Sequence, residues 1–224
     1  MMNTKVNRVM KTHCNDPYIY TIDNFLTQKE CKFIIDVSKD NLKLAGVSTK
    51  YRQTESERRI YKGRTNSSYW MPHNAYPETL KIAKKIAKRI GCNYKCFENY
   101  QVIHYNENEE YKYHYDAYNK KDEEKYEKFC GKRGNRIRTI LVYLNDVDEG
   151  GGTGFDSLSE YDGEFIVEPK MGKMVVFTNV NDDGSLNLKS RHAGLPVIKG
   201  EKWAFNLWLR ERDNLNFLKD KPII

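Results

Sequence analysis

The side chains best suited to chemistry are His114 and Asp116, in Gln101–Asp116 (QVIHYNENEEYKYHYD), and His192 far downstream. In a strand, residues two apart share a face. His114 and Asp116 can therefore reach one point, and His192 can supply a second nitrogen from a distant strand. Two imidazoles and a carboxylate on one face of a metal make a non-heme iron(II) facial triad, with three positions left for reactants. Such a site needs neutral imidazole and ionised carboxylate, so it should lose metal in acid. Taken alone, His-x-Asp is a weak signal. Of the other histidines, His13 and His73 lie in polar surroundings, and His104 should point away from its neighbour Tyr105.

Lys202 stands ten residues after His192, in the otherwise apolar and aromatic run GEKWAFNLWL. A lysine there either snorkels to water or meets an anion. If it points inward, the distal carboxylate of 2-oxoglutarate is its natural partner, because a buried cation needs pairing. Tyr105 and Thr139 can add hydroxyl hydrogen bonds to that carboxylate. Ordinary strand packing is the competing explanation for both.

These residues need a strand-rich scaffold. Residues 1–16 read as a polar lead-in and Pro17–Phe25 as a first strand. Thr27 and Glu30 form a capping box ahead of a helix with Cys31, Ile34, Ile35 and Ser38 on one side. Residues 46–74, with Arg52, Arg58, Arg59 and Arg64, read as a long irregular excursion: bare surface, or a lid over substrate. Pro77 opens a second helix with Leu80, Ala83, Ala87 and Ile90 as its apolar stripe and Gly91 as its C-cap. From Phe97 short strands alternate with Gly, Asn, Asp and Pro turns, interrupted by a charged connection at 119–136. Helices first and strands later suit helices packed on one face of a β-sandwich or barrel.

The 224 residues are enough for one domain, with 39% apolar residues and a charge of +7 spread among both signs. The lysines of the second helix read as its wet face rather than a nucleic-acid patch, so nucleic acid is disfavoured. No apolar run has the length of a signal peptide core or a bilayer span, so an unsecreted, cytosolic protein with no membrane partner is the expectation. Five cysteines, without zinc-type spacing, should be free thiols. The Asn-, Lys-, Tyr- and Ile-rich composition suits a low-GC genome, viral ones included.

Six blocks carry a resemblance: RTNSSYW (64–70), ENYQVIHY (98–105), YKYHYD (111–116), RTILVYLNDVDEGGGTGF (138–155), VEPKMGKMVVFTN (167–179) and RHAGLPVIKGEKWAFNLW (191–208). Together they resemble the catalytic domain of the prolyl 4-hydroxylases, among the iron(II)- and 2-oxoglutarate-dependent dioxygenases, and most of all compact algal, bacterial and viral members. The resemblance implies a single domain over 1–224 with a double-stranded β-helix (jelly roll). Helical support and a substrate loop fall mainly in 17–96, and the catalytic core mainly in 97–212. It implies His114, Asp116 and His192 as iron ligands. Lys202 is implied to hold the 2-oxoglutarate distal carboxylate, helped by Tyr105 and Thr139. Arg64, Glu98, Tyr111 and Trp208 match positions lining the peptide groove.

The implied reaction is 4-hydroxylation of peptidyl proline with 2-oxoglutarate and O2, giving succinate and CO2, with ascorbate as accessory reductant. The implied partner is a proline-rich or collagen-like peptide, met by a monomer or weak homo-oligomer. The present carboxylate ligand disfavours the related halogenases. Three departures bear on peptide specificity: Asn66 where the family has Ser, Gly152 where it has Glu, and Arg191 before the second histidine. Hydroxylation of another residue, free amino acid or small molecule by the same fold is the nearest rival. A nucleic-acid oxygenase and a non-enzymatic jelly-roll binding module follow at a distance.

Overall fold

Alternation along the long strands decides which residues face the site. A computed structural model describes residues 9–47 and 63–212. In chain order the strands are β1 (Met10–Asn15), β2 (Tyr18–Ile22), β3 (Lys43–Leu44), β4 (Ser67–Met71), β5 (Tyr100–Tyr105), β6 (Tyr111–His114) and β7 (Arg136–Tyr143). They continue as β8 (Glu149–Gly150), β9 (Thr153–Phe155), β10 (Phe165–Val167), β11 (Met174–Thr178), β12 (His192–Gly194), β13 (Val197–Lys199) and β14 (Lys202–Arg210). The helices are α1 (Gln28–Ser38), α2 (Pro77–Ile90) and α3 (Glu123–Cys130).

A major sheet of eight strands runs β1-β2-β11-β7-β14-β5-β4-β3, and a minor sheet of four runs β10-β9-β12-β6. This is the mostly β jelly roll with supporting helices that the sequence led us to expect. The major sheet is buried on both faces, which is why β14 reads as a near-continuous apolar run. Tyr100, Val102, Ile140, Val142, Phe205 and Leu207 pack toward Ile34 of α1 and Ile82 and Ile86 of α2. Their strand neighbours Ile103, Tyr105, Leu141, Tyr143 and Ala204 pack instead with Phe155 and Val167 of the minor sheet. By the same period of two, Lys202 shares the inner face with Ala204, and Thr139 shares it with Leu141 and Tyr143.

The capping box at Thr27 forms as expected: its hydroxyl accepts from the Glu30 N–H, and Glu30 Oε2 accepts from the Thr27 N–H at 2.8 Å. Gly91 closes α2 with φ 72°, a left-handed conformation that glycine adopts without a Cβ penalty. All five cysteines are free. No helix among the described residues is long and apolar enough to cross a membrane.

Four local expectations are corrected. The polar lead-in contains β1, an edge strand paired with β2, and edge strands are often polar because one side faces water. The excursion at 46–74 contains β4, paired with β5 in the major sheet, while Arg52, Arg58 and Arg59 lie outside the described residues. The α2 stripe is Thr79, Ile82, Ala83, Ile86, Ala87 and Ile90, and Leu80 is half-buried. The connection at 119–136 holds α3, whose N-cap Asp122 accepts from the Lys125 N–H.

Candidate active site

Cross-strand pairing places the two histidines. β12 lies antiparallel to β6 with His192 opposite His114, and their rings stand 4.4 Å apart. β6 ends at His114, so Asp116 lies just beyond the strand. Strand alternation alone therefore does not aim its carboxylate. Thr139, from the inner face of β7, does so by donating its hydroxyl to Asp116 Oδ2 at 2.6 Å. Asn179 Nδ2 donates in turn to Thr139 Oγ1 at 2.9 Å.

His114 Nε2 stands 3.7 Å from Asp116 Oδ1, and His192 Nε2 stands 3.4 Å from Asp116 Oδ2. Each histidine turns Nδ1 to a backbone carbonyl, Lys112 O at 2.8 Å and Ser190 O at 3.0 Å. Those bonds place the proton on Nδ1 and leave both Nε2 lone pairs facing the carboxylate, as metal-ligating histidines require. Cis ligands on a metal with bonds of about 2.1 Å stand about 3 Å apart, so the spacing fits one ion. Burial, and then His192, push His114 down to about 3, so its ring is neutral at pH 7. Burial works against ionisation of Asp116, but His192 and His114 outweigh it and hold the carboxyl well below its usual range. Two imidazoles and one carboxylate suit iron(II).

Lys202 is 1% exposed, with its ammonium 5.0 Å from the Tyr105 ring centre and 5.4 Å from that of Tyr143. Burial pushes it down to about 7. Among the described residues no carboxylate stands within ion-pair distance, a setting that would suit an anionic ligand. The Tyr105 ring lies beside the Lys202 ammonium. Thr139 lies apart from it: it sits four residues from Tyr143 on β7, about 13 Å along the strand, and its hydroxyl is spent on Asp116. Sequence reasoning missed Tyr143 and Thr153, whose hydroxyls meet at 2.6 Å. The equal parity of Tyr143 with Leu141 on β7 was the signal that could have found Tyr143.

An open cleft of about 1300 Å³ runs up to His114 and Asp116, which line it, whereas Lys202, Tyr105 and Tyr143 do not. The His114–Asp116–His192 cluster thus stands at the edge of the groove, with Lys202, Tyr105 and Tyr143 buried away from it. Arg64, Tyr111 and Trp208 all line the groove. Tyr111 stacks on His114 with ring centres 3.6 Å apart, and Arg64 lies over its ring at 4.4 Å. Asn66 is buried and accepts from Arg64 Nε at 3.0 Å, so this departure orients the arginine rather than touching the groove. Trp208 is 4% exposed, and its indole N–H has no hydrogen-bond acceptor among the described residues.

Glu98 is the second correction. It does not line the groove: one carboxylate oxygen meets Arg136 Nε at 2.6 Å and Arg210 Nε at 2.7 Å, and the other meets Arg136 Nη2 at 2.8 Å. Its role is to hold Arg136, which does line the groove and lies over the Trp208 ring at 3.7 Å.

The family model of the 2OG-Fe(II) oxygenase superfamily matches residues 100–210, which include all three clustered ligands and Lys202. Probable prolyl 4-hydroxylase 10 of Arabidopsis thaliana is 32% identical over 209 residues, covering 87% of this chain and 69% of that one. The chain belongs to the prolyl 4-hydroxylases. Human prolyl 4-hydroxylase subunit alpha-1 is 31% identical over 196 residues, covering 88% of this chain and 35% of the subunit. The structure of a viral collagen prolyl hydroxylase from Paramecium Bursaria Chlorella virus-1, in complex with 2OG, superposes with a TM-score of 0.66 at 28% identity, over 88% of this chain and 98% of that one. As a prolyl 4-hydroxylase the protein uses iron(II) and 2-oxoglutarate, and its helices and sheets are those of a jelly-roll oxygenase.

Proposed function

We propose that His114, Asp116 and His192 hold the iron of this prolyl 4-hydroxylase, and that Lys202 anchors 2-oxoglutarate by its distal carboxylate. The observation that carries this reading is the convergence of two imidazoles and one carboxylate, with a buried lysine that has no carboxylate partner among the described residues. Iron(II) with 2-oxoglutarate supplies oxygen activation: O2 and the 2-oxo acid become succinate, CO2 and a hydroxyl placed on proline C4. The chain's own residues do the positioning. Thr139 keeps Asp116 turned to the metal and Tyr111 packs His114 in place. Lys202 fixes the dicarboxylate so that its 2-oxo end reaches the ligands, with Tyr105 as wall and Tyr143 and Thr153 as candidate hydroxyl partners.

The groove takes the peptide. Proline-rich chains favour the extended polyproline II form, and aromatic walls suit it. The unpaired indole N–H of Trp208 would donate to a peptide carbonyl, Trp70 stacks beside it at 5.6 Å, and Arg64 and Tyr111 close the floor near His114. A collagen-like or other proline-rich protein is the substrate class we assign. All these groups come from one chain, so a monomer suffices for turnover.

The deciding experiment loads the protein anaerobically with Fe(II), then adds O2, 2-oxoglutarate and a panel of proline-containing peptides. The expected result is one oxygen atom gained per succinate, placed on proline C4 by fragmentation and stereochemical analysis. Succinate formed without any peptide oxidation would overturn the peptide reading.

A further inference from the structure

The wall of the groove formed by α3 is sorted by charge. The helix sequence EEKYEKFC carries three glutamates and two lysines. Lys125 and Lys128, three residues apart on one side, line the groove together with Phe129 and Asp122 at the helix start. Glu123, Glu124 and Glu127 do not line it and are exposed to water. Farther in stand Arg136 and Arg64. Arg136 is balanced by Glu98. Arg64 is 6% exposed and gives its N–H groups to neutral acceptors: Asn66, the Gly46 carbonyl and Gln101. Lys43 adds a further cation, against Asp40 and Asp122. Apart from Asp116 and the Glu98-balanced Arg136, the groove lining among the described residues includes four cations (Lys43, Arg64, Lys125 and Lys128) and two carboxylates (Asp40 and Asp122).

The aromatic and apolar part of the groove lies alongside. Leu188, 64% exposed, and Tyr115 line it near the metal ligands, with Trp70 and Trp208 completing the surface. An extended peptide would thus meet both aromatic rings and ammonium groups in one groove.

We infer that Lys125 and Lys128 are specificity-determining residues that select proline-rich peptides bearing an acidic side chain close to the target proline. This rests on the proline-hydroxylase reading above and deepens it. The charges are near the surface, so each contact is modest and screened by salt. Summed over two lysines, and counted from attraction of Glu to repulsion of Lys, the preference should be about tenfold.

The test uses three peptides of one length, alike except for Glu, Gln or Lys beside a single proline. kcat/KM for hydroxylation is measured by mass spectrometry at low and high salt, for the unaltered protein and for the double variant K125E/K128E. The readout is the Glu-to-Lys ratio of kcat/KM within each protein, so a general loss of folded enzyme cancels. The expected result is a ratio of about ten at low salt, shrinking as salt rises and inverted by the double variant. Equal rates on the three peptides, or a Glu preference that survives in the variant, would overturn the inference and leave proline hydroxylation standing. Oxidation of none of the three, with succinate still formed, would overturn both. Salt-sensitive inhibition by a single-stranded oligonucleotide together with equal peptide rates would reassign the cationic wall to nucleic acid.

Discussion

Thr139 and Lys202 mark the two ends of the active site, and each gives a distinct expectation. Thr139→Val removes the donor to Asp116 while keeping the strand packed. Iron affinity should fall by about 10- to 100-fold, read by titration with Fe(II) or with Co(II) as a redox-stable probe. At saturating iron the KM for 2-oxoglutarate should stay near its starting value. A rise as large as that in Lys202→Ala would return Thr139 to the co-substrate end. Lys202 also makes co-substrate binding pH-dependent. Burial holds its ammonium near 7 when alone, and a bound carboxylate favours the charged form and raises that value. Binding 2-oxoglutarate should therefore take up a proton above pH 7, and affinity should fall by about tenfold per pH unit there. Anaerobic calorimetry of the metal-loaded protein, in buffers of different ionisation heat, measures both.

At the scale of elements, Glu98 ties β7 to β14. Its carboxylate serves Arg136 on one strand and Arg210 on the other, and its pKa is lowered, because these arginines outweigh the burial that would raise it. Glu98→Gln leaves two largely buried cations without a counter-charge and should cost about 3 kcal/mol in denaturant unfolding. The sign with pH follows from the lowered value. The ion-pair contribution is complete above the ordinary value of 4.5 and is lost as pH falls below it. The variant should therefore lose part of the acid sensitivity of the parent protein. A loss no greater than that of an exposed cap, about 1 kcal/mol for Thr27→Ala on α1, would show that the pair is not holding the strands.

At the scale of the molecule, the His114–Asp116–His192 cluster joins the two sheets. His114 and His192 come from the minor sheet, and Asp116 is tied by Thr139 to the major one. A metal bound there should stabilise the whole fold. With ligand at roughly a hundredfold excess over Kd, the gain is about 2.7 kcal/mol. Thermal unfolding with and without Co(II) should show a clear rise in Tm, and Asp116→Ala should abolish both the rise and turnover. An equal rise in that variant would place the metal elsewhere.

The sequence by itself determined what depends on residue type and short spacing. His114, Asp116 and His192 announce the chemistry because few side chains can hold a metal. Lys202 stands out because an ammonium in an apolar strand must either reach water or meet an anion. Period-two alternation was enough to set Tyr105 opposite to His104, and the Thr27 capping box and the Gly91 C-cap are local signals that the structure repeats. What needed the tertiary structure was position along a strand and choice of partner. Thr139 and Tyr143 share a face, and only the closed jelly roll shows that one reaches Asp116 and the other Lys202. Glu98 could have met a peptide or an arginine, and two arginines from strands far apart in sequence took it. The charged run at 119–136 resembled a loop because it holds few apolar residues, yet Asp122 caps a helix there and the groove sorts its charges. Long-range packing chose among these, since each alternative satisfies local propensity equally well.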